Sequence, residues 1–349
     1  MKIRVLSCIY VSFRYLITKC LYAFQFILFK NKNLEPAVVI GDKVLGLFNI
    51  FGRYIYDFNI PKHICVEIYD LKFPSPLVAA SFKSEINILE MWLRMGIGGT
   101  IFKTILKNPQ NGNPSPRLQD VILDGKKGLL NSLGLPGPGV ETFIEQLGIS
   151  SVWNYRRPIG ISIGGHDEIE YIYNLKLIDE KIKHTHEKYF FELNISCPNT
   201  TNGKTITDDL DKLEKILKSI RKITDKVISV KVTPDASDQT LKNIGEICSS
   251  INFIMINAGN TQYKTPRDVG LEPSYFSMKG GGLSGPQLFK RTIEMVSLFS
   301  QFNLPIMATG GISSIDHLRL AKMSGASLFS MATSLVLDPY CIPRINYDL

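Results

Sequence analysis

The stretch FFELNISCPN, residues 190–199, begins as an apolar run and ends in a crowd of amide, hydroxyl and thiol groups. A run this short, bounded by turn residues, reads as a buried strand, FFELNI (190–195). The same grammar recurs on both sides. PLVAAS (76–81), GTIFK (99–103) and PIGISI (158–163) precede it; VISVKV (227–232), FIMINA (253–258), LPIMAT (304–309) and ASLFSM (326–331) follow. Amphipathic stretches separate these runs at 84–95, 167–184, 206–223, 237–249, 286–301 and 313–323. Eight such units predict an α/β fold, a (β/α)8 TIM barrel with a short N-terminal helical extension.

Chemistry in such a barrel belongs at the C-terminal ends of the strands. Here those ends carry Lys103, then Asn194, Ser196, Cys197 and Asn199, then Lys231, Asn257 and the pair Gly310-Gly311. After the second strand a long excursion, 104–138, holds GNPSPRL (112–118) and leads into NSLGLPGPG (131–139). Loops of that length in compact domains are usually functional.

The 349 residues are 44% hydrophobic, ample for a buried core, and carry a formal charge of +8. No run of cations interleaved with aromatics accompanies that charge, so nucleic acid is not an expected partner. Cys8, Cys20, Cys65, Cys197, Cys248 and Cys341 form no CxxC pair, and the five histidines lack ligand spacing. We expect no metal and no disulfide framework, and a reducing compartment.

Residues 4–29 are almost continuously apolar, interrupted by Arg14 and Lys19. The length is sufficient to span a bilayer, but each cation is costly at a membrane's centre. Three readings stay open: an anchor lying on a membrane, a true span, or a helix packed on its own domain. Residues 34–58 continue at helical spacing around Val39, Val44, Leu45, Phe48 and Phe51. We therefore divide the chain into a membrane-associating helical segment, 1–60, and a catalytic barrel, 61–349. Localisation follows from the anchor: membrane-associated, with the barrel on the cytoplasmic side in a prokaryotic cell.

From about residue 66 to 338 the chain resembles the dihydroorotate dehydrogenase family. FELNISCPNT (191–200) is similar to that family's catalytic loop, GNPSPRL to its segment after the second strand and NSLGLP to its substrate loop. GGGLSG (280–285), TGGISS (309–314) and GASLFSMATSLV (325–336) are similar to its flavin-binding segments. The resemblance implies oxidation of (S)-dihydroorotate to orotate, a step of pyrimidine biosynthesis, with FMN as cofactor. It places Lys103, Asn131, Gly134, Leu135, Asn194, Asn199 and Asn257 at the substrate. Asparagine amides both donate and accept, as a ring with alternating N–H and C=O edges requires. It places Ala80, Ser81, Lys103, Asn194, Lys231, Gly282, Ser284, Gly285, Gly310, Gly311 and Thr333 around the flavin. Cys197 is the implied base, a thiol whose ordinary pKa near 8.5 permits proton removal once its surroundings favour the thiolate.

The resemblance is mixed. A cysteine base, Lys103 and NSLGLP match the soluble class; the N-terminal extension, including ILFKNKNLEPA (27–37), and GGLSG match the membrane-bound class, which reduces quinone. A quinone acceptor is therefore expected. Ala258 stands where the family usually has a hydroxyl, which predicts one hydrogen bond fewer to the substrate, and Phe82 and Ala332 replace common residues beside the flavin. Either the last helix is abbreviated to 338–349 or something else covers that side of the barrel. Two rivals follow: a related FMN-dependent dihydropyrimidine or enoate oxidoreductase, favoured by Ala258, and a catalytically silent membrane-tethered barrel with a binding role.

Overall fold

A computed structural model describes residues 1–196 and 206–349. The barrel strands are β1 (Leu77–Lys83), β2 (Gly99–Ile105), β3 (Ile159–Ile163), β4 (Tyr189–Asn194), β5 (Ile228–Val232), β6 (Ile254–Ala258), β7 (Ile306–Thr309) and β8 (Leu328–Met331). Each pairs in parallel with the next, and β8 pairs with β1, so the sheet closes. The strand ends fall within two residues of the runs expected from sequence.

Alternation along the strands builds the interior in tiers. Val78, Ile101, Phe190, Met255, Met307 and Leu328 point inward at the bottom and form one buried cluster with Ile68, Leu71 and Phe73. Those three belong to a hairpin, Val66–Ile68 with Leu71–Phe73, that plugs the N-terminal end. Two residues further along β2, β4, β6, β7 and β8 the inward side chain is polar, Lys103, Glu192, Asn257, Thr309 and Ser330, and on β1 it is Ala80. The intervening residues, among them Phe102, Phe191, Ile256 and Phe329, face outward into the helix-side core. Gly98, at the entry to β2, is required sterically, since a Cβ there would lie 1.8 Å from the Ser75 carbonyl oxygen.

The segment 104–138 is more than a loop. Leu118–Leu123 and Lys126–Asn131 form an antiparallel hairpin, joined by Gly281–Ser284 and Gln262–Lys264 into a four-stranded sheet. Asp124 (φ 51°) and Gly125 (φ 69°) are both left-handed, the two-residue Asp-Gly turn that suits strand twist. This signal was present in the sequence, hidden by the many glycines and prolines around it.

Ahead of the barrel lie α1 (Lys2–Phe29), α2 (Glu35–Leu47) and a single turn at Gly52–Ile55, so the helix expected over 34–58 ends at Leu47. By length and composition α1 could cross a membrane. It packs along the domain: Ser7 Oγ donates to Asp338 Oδ2 (2.8 Å), Tyr10 OH to the Val336 carbonyl (3.0 Å) and Arg14 Nη2 to Asp120 Oδ1 (2.9 Å). Half-exposed ion pairs contribute at most about 1 kcal/mol. The main hold is apolar, from Ile3, Leu6 and Tyr10 on the helix-side core and Ile17, Leu21 and Tyr22 on a second cluster around Leu34 and Leu129. The outer side of α1 leaves Val5, Leu16, Phe24, Ile27, Leu28 and Phe29 exposed. The closing helix, Cys341–Asp348, is short and tied in by Asn346, which accepts from Ser75 Oγ (2.7 Å) and donates to the Gly96 carbonyl (2.8 Å).

Phe190 is fully buried in the barrel floor against Phe73. Phe190→Ala should cost about 3–5 kcal/mol, read as a lower urea midpoint at unchanged slope. A loss below about 1 kcal/mol would contradict this packing.

Candidate active site

Above the apolar floor, the strand ends open into a cavity of about 1820 Å³ that continues between α1 and α2. Register brings the site together. Asn194 on β4 lies beside Lys231 on β5, which lies beside Asn257 on β6, although 63 residues separate the first from the last. Lys103, Asn131, Gly134, Leu135 and Asn194 line the cavity, as do Ala80, Ser81, Lys231, Gly282, Ser284, Gly285, Gly310, Gly311 and Thr333. Asn257 does not line it: fully buried beneath, it donates through Nδ2 to Glu192 Oε2 (2.7 Å) and accepts from Thr309 Oγ1. Cys197 and Asn199 lie outside the described residues.

The loop that carries Asn131 to Pro136 is braced from several sides. Lys103 Nζ donates to the Pro136 carbonyl (2.8 Å), Asn113 Nδ2 to the Ser132 carbonyl (2.7 Å) and Asn131 Nδ2 to the Gly282 carbonyl (3.1 Å). Arg117, from GNPSPRL, donates through Nη1 to the Asn111 and Asn113 carbonyls. Gly134 (φ 72°) and Leu135 (φ 51°) are both left-handed. A non-glycine residue there is strained and persists only where its surroundings enforce it.

A second network surrounds Asn194. Its Nδ2 donates to Thr104 Oγ1 (3.0 Å), and its Oδ1 accepts from Ser196 Oγ (3.0 Å). Asn260 Nδ2 in turn donates to Ser196 Oγ (2.6 Å), so the residue before Cys197 is held by Asn194 at the end of β4 and by Asn260 in the loop after β6. Ala258 is fully buried in the helix-side core, whereas Asn260 and Thr261 line the cavity. The lost hydrogen bond expected at Ala258 therefore does not follow, because position 258 faces away from the site.

Sequence reasoning missed Glu192. It is fully buried, accepts from Ser81 Oγ (2.5 Å) as well as Asn257, and lies 3.8 Å from Lys231 Nζ. Its signal was available: a lone acid in an apolar run, two residues before Asn194 and therefore on the same face. Burying a carboxylate costs several kcal/mol unless partners offset it.

Several features suit a large polar ligand. The hydroxyls of Ser132 and Ser330 border the cavity, buried and without a hydrogen-bond partner among the described residues. Gly310 (φ 124°) and Gly311 (φ 74°) leave no room for side chains: a Cβ would meet Thr292 Oγ1 at 2.5 Å and Phe289 Cβ at 2.8 Å. Thr292 Oγ1 holds this turn by bonding the Thr309 and Gly310 carbonyls, both at 3.0 Å. Among the described residues no cluster could hold a metal ion. Burial, opposed by Glu85, lowers the Lys103 pKa to about 8.

A profile of the family described as Dihydroorotate dehydrogenase matches residues 63–349. The chain belongs to the dihydroorotate dehydrogenase family. It is 28% identical over 288 residues to the catalytic subunit of dihydroorotate dehydrogenase B (NAD(+)) of Carboxydothermus hydrogenoformans, covering 81% of this chain and 90% of that one. It is likewise 28% identical over 280 residues to dihydroorotate dehydrogenase (quinone) of Mycobacterium bovis, covering 77% and 74%. The Eimeria tenella dihydroorotate dehydrogenase structure with ferulenol shares the fold, with a TM-score of 0.74, 21% identity and 88% of this chain covered. The cavity thus belongs to a dihydroorotate dehydrogenase-family barrel, and α1 and α2 precede the residues the family profile matches.

Lys103 is charged below about pH 8 and neutral above it. With orotate as a carboxylate probe, Kd should rise about tenfold from pH 7 to 9, the value of one charge-assisted hydrogen bond. The Lys103→Met variant should bind weakly with no such slope. A slope that persists in Lys103→Met would assign it to another group.

Proposed function

We propose that this chain is a dihydroorotate dehydrogenase that oxidises (S)-dihydroorotate to orotate with FMN and passes the electrons to a quinone at a membrane surface. The observation that carries the reading is the single cavity in which Lys103, Asn131, Asn194 and Lys231 converge and which runs on between α1 and α2.

Bound FMN supplies the two-electron acceptor for hydride. Lys231, Ser81, Gly282, Ser284, Gly285, Gly310, Gly311 and Thr333 are the residues that would hold it, with the glycine turn at the phosphate and Lys231 at the ring. Partnerless hydroxyls and a turn too tight for any Cβ fit that group. The residues of the chain perform the rest. Lys103 offsets the carboxylate of the substrate. Asn131, Asn194 and Asn199 orient its ring through amide donors and acceptors, and Asn257, bonded to Glu192 and Thr309, supports them from beneath. The Cys197 Sγ takes the acidic proton. Ser196, bonded by Asn194 and Asn260, fixes the start of the segment that carries this thiol.

The extension between the helices favours quinone. Its walls are mainly apolar, from Leu6, Ile9, Phe13 and Ile17 of α1 and Val38 and Leu45 of α2, with Arg14, Glu35 and Asp42 as charged exceptions. The exposed apolar faces of α1 and α2, flanked by Lys19, Lys30 and Lys43, suit a helix pair resting in a lipid interface. Reduction of NAD(+) is the second reading, favoured by the name of the Carboxydothermus relative.

Anaerobic dihydroorotate should bleach the flavin of the protein purified in mild detergent, and Cys197→Ala should slow that step by about 10²–10⁴-fold. Bleaching by dihydrouracil in place of dihydroorotate would move the reading to another substrate. Val38→Trp, which fills the groove between the helices, should raise the quinone KM and leave the bleaching rate unchanged. Electron transfer to NAD(+) but not to quinone would favour the second reading.

A further inference from the structure

Glu192 is a carboxylate in the barrel interior that the reaction read above leaves unused. Phe190, two residues below on the same face of β4, shows that an apolar side chain fills such a position well. A buried acid here serves something other than volume. Its partners are Ser81 on β1, Lys231 on β5 and Asn257 on β6, each of them a residue singled out for the site.

The hydrogen bonds have a direction. Lys231 Nζ donates to Ser81 Oγ (3.1 Å), and Ser81 Oγ donates to Glu192 Oε1 (2.5 Å). The serine has one proton, and Glu192 claims it, so the serine meets the lysine with a lone pair. One N–H of Lys231 is thereby drawn toward the barrel interior while the amine borders the cavity. Glu192 Oε1, 3.8 Å from that nitrogen, also cancels part of its field in a medium where charges interact strongly.

We propose that Glu192 is a positioning residue for Lys231, which anchors the ammonium at the cavity wall and tempers its attraction for the negative charge of a reduced flavin ring. The inference rests on the flavin reading. The barrel thereby sets the electron affinity of its cofactor through a group that never touches it. A Lys231 without Glu192 would hold reduced flavin too tightly relative to oxidised flavin and pass electrons onward less readily.

The test is an anaerobic redox titration of the full-length holoprotein against a reference dye, for the parent, Glu192→Gln and Glu192→Asp. The glutamine keeps the shape and one acceptor oxygen, turns the other into an N–H donor, and removes the charge; the aspartate keeps both acceptors and retracts the charge by one methylene. Glu192→Gln should favour reduced over oxidised flavin at least about tenfold more than the parent does, a rise of about 30 mV for a two-electron couple. Glu192→Asp should shift the ratio in the same direction by less. In a Lys231→Met background, Glu192→Gln should lose most of its effect. An unchanged ratio in flavin-loaded Glu192→Gln, or an equal shift without Lys231, overturns the proposal; should the glutamine variant not fold, an unchanged ratio in Glu192→Asp does so. A parent protein that binds no flavin overturns the flavin reading itself, and this inference with it.

Discussion

A closed eight-stranded parallel barrel sends every second side chain of each strand into a lumen that side chains must fill. Everything at the site depends on that constraint. The lowest tier meets it with Phe190, Met255 and Met307, capped by the 66–73 hairpin. The next cannot be apolar and also serve a polar ligand, so it is polar, with its buried acid and amide paired and the Ser330 hydroxyl left open at the cavity. Glu192 accepts from Ser81 and Asn257, and Asn257 accepts from Thr309. Such a network is favourable only when its members are paired, and pairing fixes their orientations. The rigid base presents Lys231 and Asn194 upward.

Two additions finish what the barrel alone leaves open. The antiparallel sheet built from 118–131 and 262–284 brings the Asn131 loop over the strand ends, braced by Arg117 and Asn113. The α1–α2 pair extends the cavity along a mainly apolar path. The two differ in character: the sheet holds its loop with backbone and amide bonds, while the helices are held mainly by apolar contact and leave a broad apolar face outward. The first suits orienting a ring, and the second suits an apolar molecule approaching from an interface.

The strand rhythm made the barrel legible because a buried parallel strand needs continuous apolarity, which leaves a plain trace in composition. The site was legible where strand ends carried unexpected polarity, as at Lys103, Asn194 and Lys231. Glu192 escaped notice because its meaning lies in partners 111, 39 and 65 residues away in the chain. Ala258 misled for a related reason: adjacency to Asn257 suggested a shared role, yet the period of two turns the neighbour to the opposite face. The antiparallel sheet was hidden because each of its four strands is short and two come from a distant segment.

The sequence by itself determined the eight βα units, the family likeness, the polar strand ends and the apolar character of the first helix, since each is a local pattern of side-chain type. Only the tertiary structure decided that Asn257 is a buried support, that Glu192 and Asn260 belong to the networks below and beside the cavity, and that α1 lies along the barrel. Those outcomes depend on register across strands and on which surfaces meet. Barrel closure fixes both, by joining residues that the chain itself keeps far apart.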